Sequence, residues 1–157
     1  MGFLSKMKAL KNVMTGGAAK VYLDTPEIEF GSPFELVMRV QVDDADVKVD
    51  RVYLEVEGIE EVEIPDTDVI YDRDGEEHRR REIVRASTTT TRLNLTVDEA
   101  QVLTANEQYD WTCTIELPDS ALAPYFGQHC QHFYRARASL DCFGNDPDSG
   151  WVALNML

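Results

Sequence analysis

Two stretches in which apolar and polar residues alternate constrain this chain more than any other feature. Residues 109–117 place apolar side chains at every second position, and so do residues 130–142 except at His132. Successive side chains of a β-strand point to opposite faces, so this pattern predicts strands with one buried face. In the second stretch the predicted buried residues are Cys130, His132, Tyr134, Ala136, Ala138, Leu140 and Cys142.

Further strands are predicted at 34–42, at 52–56 with an extension through Val62 and Ile64, at 81–95 and at 152–156. Val47 and Val49 have the opposite parity to the strand that follows them, which predicts a bulge near Asp50. Asp74-Gly75 favours a tight hairpin turn. Seven or more strands with turn signals between them predict an all-β, antiparallel, immunoglobulin-like β-sandwich.

Two segments have helical rather than strand-like patterns. Near the N-terminus apolar residues recur at helical spacing, which predicts a short amphipathic helix over residues 3–14 that ends before Gly16-Gly17. Thr96 to Glu99 matches a capping box and predicts a turn or two of helix through Leu103.

Length and charge point to a single acidic domain with a basic leading segment. The chain has 157 residues, 15 Lys plus Arg and 29 Asp plus Glu. Residues 1–20 hold four lysines and no acid, so the remaining residues hold 11 basic and 29 acidic side chains and a net charge of −18. We therefore divide the chain into a segment 1–17 and a domain 18–157. A strongly acidic body repels phosphate backbones, and no nucleic-acid binding is expected.

Three cysteines, an odd number, and a start without a secretory signal pattern predict a reducing cytoplasmic location. No apolar run approaches the ~20 residues needed to span a bilayer.

A disulfide between Cys130 and Cys142 is excluded by distance. On one continuous strand these two residues lie roughly 40 Å apart at ~3.3 Å per residue.

The last third of the chain carries a family resemblance. Glu116-Leu-Pro118, the loop closing at Gly127, Tyr134-Arg-Ala-Arg-Ala-Ser-Leu-Asp141 and the Asp146-Pro147 turn into Gly150-Trp151 resemble the arrestin-like β-sandwich pattern. The opening, Met1 to Met7 and Gly17 to Val21, together with Glu27 to Gly31 and Val52 to Glu55, resembles the bacterial sporulation-control protein M family. The resemblance implies an arrestin-like fold and a non-catalytic interaction or scaffold role. Arrestin-like proteins commonly have two such sandwiches, and this chain has length for one.

Metal ligation is considered at His129, Cys130, His132 and Cys142, whose side chains are of the types zinc prefers. His129 and Cys130 point to opposite faces of a strand, which argues against a shared metal. Asp72-Arg-Asp74-Gly75 resembles the centre of a calcium loop, but the register places Ile70 and Arg81 at ligand positions. No metal or cofactor is expected.

Arg79, Arg80 and Arg81, with Arg85 and Arg92, form the one basic cluster of the acidic body. Cross-strand ion pairing with the acidic run at 57–63 is one explanation. The functional alternative is an acidic or phosphorylated partner, which arginine side chains are suited to bind.

Residues 1–17 are predicted to be a docking segment for a protein partner's groove or an anionic membrane surface. Packing on the chain's own sandwich, or on a second copy in a homo-oligomer, is the alternative. The apolar stripe and its basic flank consist of Phe3, Met7, Leu10 and Met14 with Lys6, Lys8 and Lys11.

No catalytic motif is found: Gly-x-Ser-x-Gly and Gly-rich phosphate-binding loops are missing from the sequence. We therefore expect a non-catalytic interaction or scaffold module, with a regulatory role in a bacterial cell. The alternative is a hydrolase or metal-dependent enzyme that uses His129, His132 and the acidic loops.

Overall fold

A computed structural model describes residues 18–157, so the predicted helix at 3–14 and the boundary at residue 17 lie outside the described residues. The described residues form strands β1 (Ala19–Asp24), β2 (Glu27–Ile28), β3 (Phe34–Val42), β4 (Val47–Tyr71), β5 (Glu77–Asp98), β6 (Gln101–Leu103), β7 (Gln108–Ile115), β8 (Tyr125–Phe126), β9 (Cys130–Cys142), β10 (Val152–Ala153) and β11 (Asn155–Met156). Within residues 18–157 there is no helix that could cross a membrane.

Two antiparallel sheets enclose the core. The smaller has the order β1-β3-β7, and the larger has the order β10-β9-β4-β5, with β6 paired to β4 and β8 paired to β9. The short strands β2 and β11 pair in parallel. Buried side chains from β1, β3, β4 and β9 form one continuous hydrophobic cluster, which confirms the predicted antiparallel β-sandwich.

The alternation read from the sequence determines which face of each strand is buried. In β3 every even-numbered residue from Phe34 to Val42 is buried. In β9 the predicted face is the inner one, with His132, Tyr134, Ala136, Ala138 and Leu140 all at most 1% exposed. The register of β4 on β9 slips between Val49 and Arg51, which confirms the bulge predicted near Asp50.

Trp111 on β7 points inward, as its parity predicts, and is half-buried against the core. Its indole Nε1 donates a hydrogen bond to Asp98 Oδ2 at 2.9 Å, and its ring stacks on Tyr109 with the ring centroids 5.8 Å apart. The hydrogen bond joins the edges of the two sheets.

The helix predicted from Thr96 through Leu103 is wrong. Strand β5 continues to Asp98, and after a two-residue break β6 pairs with Val47–Val49 of β4. A capping box expresses only a local preference, whereas the ladder hydrogen bonds and the complete burial of Leu103 are tertiary interactions that override it.

The strand predicted at 152–156 is divided in two. β10 pairs with β9, whereas β11 pairs with β2. At the break the backbone N–H of Leu154 donates to the carbonyl oxygen of Tyr134 at 2.9 Å, and the Leu154 side chain is buried.

The outer face of the larger sheet carries a cluster of ion pairs. Glu57, only 7% exposed, accepts hydrogen bonds from Arg92 Nε at 3.2 Å and from Arg135 Nη2 at 2.8 Å. Arg137 Nη2 donates to Glu55 at 2.6 Å. The guanidinium groups of Arg135 and Arg137 lie 4.3 and 4.6 Å from the ring centroid of Trp151. These charges are paired on the sheet itself.

Candidate interaction surface

The largest departure from a closed sandwich is a hairpin that projects beyond it. β4 is paired with β9 only as far as Val62, opposite Cys130, while its pairing with β5 continues to Tyr71 opposite Glu77. Nearly every residue between 63 and 85 is exposed. We call residues 63–85 the projecting hairpin.

The projecting hairpin displays large apolar side chains that no other part of the described chain covers. Each is between 45% and 67% exposed, although hydrophobic residues of strands are normally packed on at least one face. They are Ile64, Val69, Ile70, Tyr71, Ile83 and Val84. Exposed apolar residues grouped on one element mark sites of protein association.

The tip of the projecting hairpin is a well-bonded turn, as Asp74-Gly75 predicts. Gly75 has a φ of 81°, a conformation in which a side chain is strained. Asp72 Oδ1 accepts the backbone N–H groups of Asp74 and Glu76, each at 2.9 Å. Asp72 Oδ2 lies 3.0 Å from His78 Nε2, and these bonds, chiefly that with His78, lower the pKa of Asp72.

Asp72, Glu76 and His78 are also the one group of three potential metal ligands within residues 18–157, with ligand atoms within 4.8 Å of one another. All three are exposed. Because one Asp72 oxygen already accepts two backbone N–H groups, the turn itself accounts for their proximity.

The arginine triplet lies on the β5 arm of the projecting hairpin. Arg79 and Arg81 are on one face and Arg80 is on the other, since successive residues of a strand alternate. Arg79 pairs with Glu77 at 3.0 Å and Arg80 with Glu82 at 2.9 Å, both along β5. The cross-strand pairing that is one explanation of the basic cluster is therefore not what engages Arg79 and Arg80.

Cross-strand ion pairs do form further down β5. Arg85 pairs with Glu63 at 3.1 Å and Arg92 with Glu57 at 3.1 Å. Arg81 lies opposite Thr67 and has no ion pair within residues 18–157. Arg79 likewise faces a neutral neighbour across the hairpin, Val69, whereas Arg80 lies opposite Asp68.

A cleft of about 560 Å³ lies at the base of the projecting hairpin, between its two strands and the start of β9. Tyr125 lies beside it, and its hydroxyl donates to Glu60 Oε1 at 2.6 Å and contacts Cys130 Sγ at 3.1 Å. The hydrogen bonds with Cys130 and Glu60 raise the pKa of Tyr125. The cleft is lined by Glu61, Val62, Glu63, Arg85, Ala86, Ser87, Gly127, Gln128, His129, Cys130 and Gln131.

His132, a candidate metal ligand of the sequence, is fully buried and fully bonded. Its Nδ1 donates to the carbonyl oxygen of Ala123 at 3.2 Å, and its Nε2 shares a hydrogen bond of 2.7 Å with the Thr90 hydroxyl. Its ring meets the ring of Tyr134 edge to face. His132 therefore acts as a packed core residue that joins β9 to β5.

Of the residues predicted to bind a partner, those at 3–14 lie outside the described residues, and the three arginines lie together on the projecting hairpin. Sequence reasoning missed the apolar residues beside them and the length of the hairpin. The available signal was the β-prone composition on both sides of the Asp74-Gly75 turn. The only other turn signal in this part of the sequence is Pro65.

The two antiparallel sheets around one core, with the topology given above, define an arrestin-like β-sandwich. A solved structure that shares this fold is that of Spo0M, a sporulation control protein from Bacillus subtilis. The match has a TM-score of 0.58 and 18% sequence identity, and it covers 89% of this chain and 49% of that protein. The chain thus spans about half the length of Spo0M, and the resemblance predicted from the residues is confirmed at the level of the fold.

No protein-family model and no curated protein sequence matches this chain.

Proposed function

We propose that this protein is a non-catalytic protein-interaction module in which the projecting hairpin makes the principal contact with a partner. The supporting observation is that this hairpin contributes no buried core residue and yet displays six large apolar side chains and five arginines, three of them consecutive. An isolated two-stranded hairpin is marginally stable in water, so residues 63–85 gain order and burial if a partner packs on them.

The chemistry of the described residues favours binding over catalysis. Both ring nitrogens of His132 are engaged by Thr90 and Ala123, and the imidazole has no exposed surface. Within residues 18–157 every buried side-chain nitrogen or oxygen has a hydrogen-bond partner. The alternative of an enzyme built on His129 and His132 has no supporting observation.

A regulatory role in a bacterial cytoplasm is part of the proposal. It is supported by the shared fold with a sporulation control protein and by the reduced cysteines expected of that compartment. Fold likeness is an analogy, so the partner must be sought by experiment.

We further propose that residues 1–17 supply a second contact, with a partner, an anionic membrane surface or a second copy. The stripe of four apolar side chains and the three lysines beside it are the support. Deletion of residues 1–17 should abolish binding to anionic vesicles or to the captured partner while the melting temperature stays nearly constant. Unchanged binding to both after the deletion would remove this part of the proposal.

Site-specific photo-crosslinking tests the role of the projecting hairpin. A photoreactive amino acid at position 69 is compared with one at position 102, because Val69 and Val102 are strand residues of similar exposure, 47% and 58%, on the hairpin and on the sandwich. In native cell extract we expect discrete crosslinked proteins from position 69 and none of these from position 102.

A shortened variant provides the second part of that experiment. Residues 65–83 are replaced by Asn-Gly, which joins Ile64 and Val84 across a two-residue turn. The shortened protein should stay folded and compete poorly for the crosslinked partner. Equal crosslinking from both positions, or full competition by the shortened variant, would contradict the proposal.

A further inference from the structure

The two free edges of the projecting hairpin are not equivalent. On the β4 edge the N–H of Glu63 donates to the carbonyl oxygen of His129 at 2.8 Å, and Pro65 has no N–H. The N–H of Thr67 is bonded to Asp66 Oδ1 at 2.9 Å. Proline and self-bonded donors are features that keep an edge strand from accepting another strand.

The β5 edge has no such protection. Within the described residues β5 pairs only with β4 over its whole length. Pro65, which cannot donate, lies opposite Ile83, so this is a pair without hydrogen bonds across the hairpin. Ile83 and every second residue therefore direct their backbone N–H and C=O outward, and in this arm they are Glu77, Arg79, Arg81, Ile83 and Arg85.

The residues that open the β5 edge also carry its positive charge. Arg79, Arg81 and Arg85 share one face, whereas Asp66 and Asp68 of the β4 arm point to the opposite face, with Glu82. The ion pairs of Arg79 and Arg85 are exposed, and exposed pairs are weak enough for a competing carboxylate to displace.

The carboxylates on this face of the hairpin are Glu77 and Glu63, which pair with Arg79 and Arg85, and the acidic body lies too far away to cancel the charge of Arg81. Support from β9 ends where Val62 meets Ala86, and Arg81 lies five residues beyond it, ~16 Å at ~3.3 Å per residue. The Debye length at physiological ionic strength is about 8 Å. A carboxylate approaching Arg81 is therefore largely screened from the body.

A second copy fits this edge less well than an acidic strand, because pairing two arms about Arg81 matches Glu77 with Arg85 but leaves Arg81 opposite another arginine. If two β5 arms pair in antiparallel fashion, most registers that align residues 79–85 place an arginine directly opposite an arginine. Like charges directly opposite one another destabilise a strand pair. The edge therefore favours a partner of opposite charge.

We infer that the outer edge of β5 binds an acidic, extended peptide segment by strand addition, a mode in which backbone hydrogen bonds give affinity and side chains give specificity. This inference rests on the proposed function and names its partner's chemistry. For an antiparallel strand, carboxylates lie opposite Arg85, Arg81 and Arg79 and an apolar residue lies opposite Ile83. The partner pattern is acid-x-apolar-x-acid-x-acid.

The test uses a fluorescent peptide, Thr-Glu-Thr-Val-Thr-Glu-Thr-Glu-Thr, and fluorescence anisotropy with the full chain. Arg81→Glu should weaken binding at least ten-fold. Arg80→Glu makes the same charge change on the opposite face and should alter binding less than three-fold. Circular dichroism of both variants checks that the fold is intact.

Backbone methylation of the peptide distinguishes strand addition from simple charge attraction. N-methyl groups on the valine and the central glutamate block the bonds to β5 and should abolish binding, whereas N-methyl groups on the flanking threonines point away and should leave it unchanged. Equal binding of the two methylated peptides, or of a scrambled peptide of the same composition, would overturn strand addition.

The outcomes separate the inference from the proposed function. No binding of the peptide to the parent protein, with crosslinking from position 69 intact, overturns the acidic strand and leaves the hairpin as the contact element. A concentration-dependent doubling of mass without peptide would instead assign the edge to a second copy. Loss of the position-69 crosslinks would remove the proposed function as well.

Discussion

The guanidinium of Arg135 donates two hydrogen bonds to one carboxylate oxygen of Glu57, at 2.8 and 3.2 Å, where only 9% of the glutamate side chain is exposed. Arg92 occupies the other oxygen. A carboxylate so enclosed depends on its partners, because burial of an unpaired charge is costly.

Glu57→Gln should therefore lower the free energy of unfolding by ~1–3 kcal/mol, since two arginines lose their counter-charge in a nearly buried site. Chemical denaturation measures this. The matched control is Glu63→Gln, whose pair with Arg85 is exposed and should contribute ~0–1 kcal/mol. Equal losses in the two variants would show that burial of Glu57 has no energetic effect.

Gly58→Ala should also destabilise the protein, by ~1–3 kcal/mol. A Cβ at position 58 would lie 2.8 Å from Thr90 Oγ1 and 2.9 Å from Tyr134 Cε1, closer than real contacts. Thermal unfolding tests this, with the exposed Thr88→Ala on the adjacent strand as the control. A melting temperature equal to that of the parent would mean that the aromatic ring and the threonine can move apart without cost.

Replacing residues 65–83 by Asn-Gly should change the free energy of unfolding by less than about 1 kcal/mol, because the removed residues bury no core side chain. The melting temperature and the denaturant midpoint measure it. A large loss of stability would show that the projecting hairpin supports the sandwich, contrary to its exposure.

The Cys142 thiol should resist alkylation at pH 8. Burial, followed by the nearby carboxylates of Asp146, Asp141 and Asp50, raises its pKa to about 11. The reactive thiolate is thus roughly a hundred-fold scarcer than in a free cysteine of pKa near 9. In a Cys113→Ser, Cys130→Ser background, alkylation followed by mass spectrometry should be much slower in the folded than in the unfolded protein, with the gap closing above pH 11.

Asp98 provides a pH-dependent contribution to stability. Hydrogen bonds from Gln101, Trp111 and the backbone N–H of Glu99 lower its pKa. A carboxyl group whose pKa is lower in the folded than in the unfolded state stabilises the protein at pH values above the ordinary aspartate pKa. This stabilisation is lost as the pH falls through the folded-state pKa. Asp98→Asn should therefore be less stable than the parent at pH 7, and the difference should shrink below pH ~3.9. A difference that is constant with pH would contradict the ionic character of this contact.

Strands with one buried face were predictable because their pattern is local. β3, β7 and β9, the bulge beside Asp50 and the Asp74-Gly75 turn all follow from parity and turn chemistry. The projecting hairpin has no buried face, so residues 63–71 show no alternation, and Pro65 with Asp66 suggests a loop. The register that places Arg81 opposite Thr67 depends on hydrogen bonds between distant segments, which a local pattern does not contain.

The proline at position 65 limits how many strands the projecting hairpin can add. A ribbon open on both sides could be extended strand after strand from either side, as in fibrils. Here the side that carries Pro65 and the Asp66-bonded N–H of Thr67 is closed, so only one side is available for growth. The hairpin can thus accept a strand on one side only, so it ends a growing sheet instead of joining two neighbours.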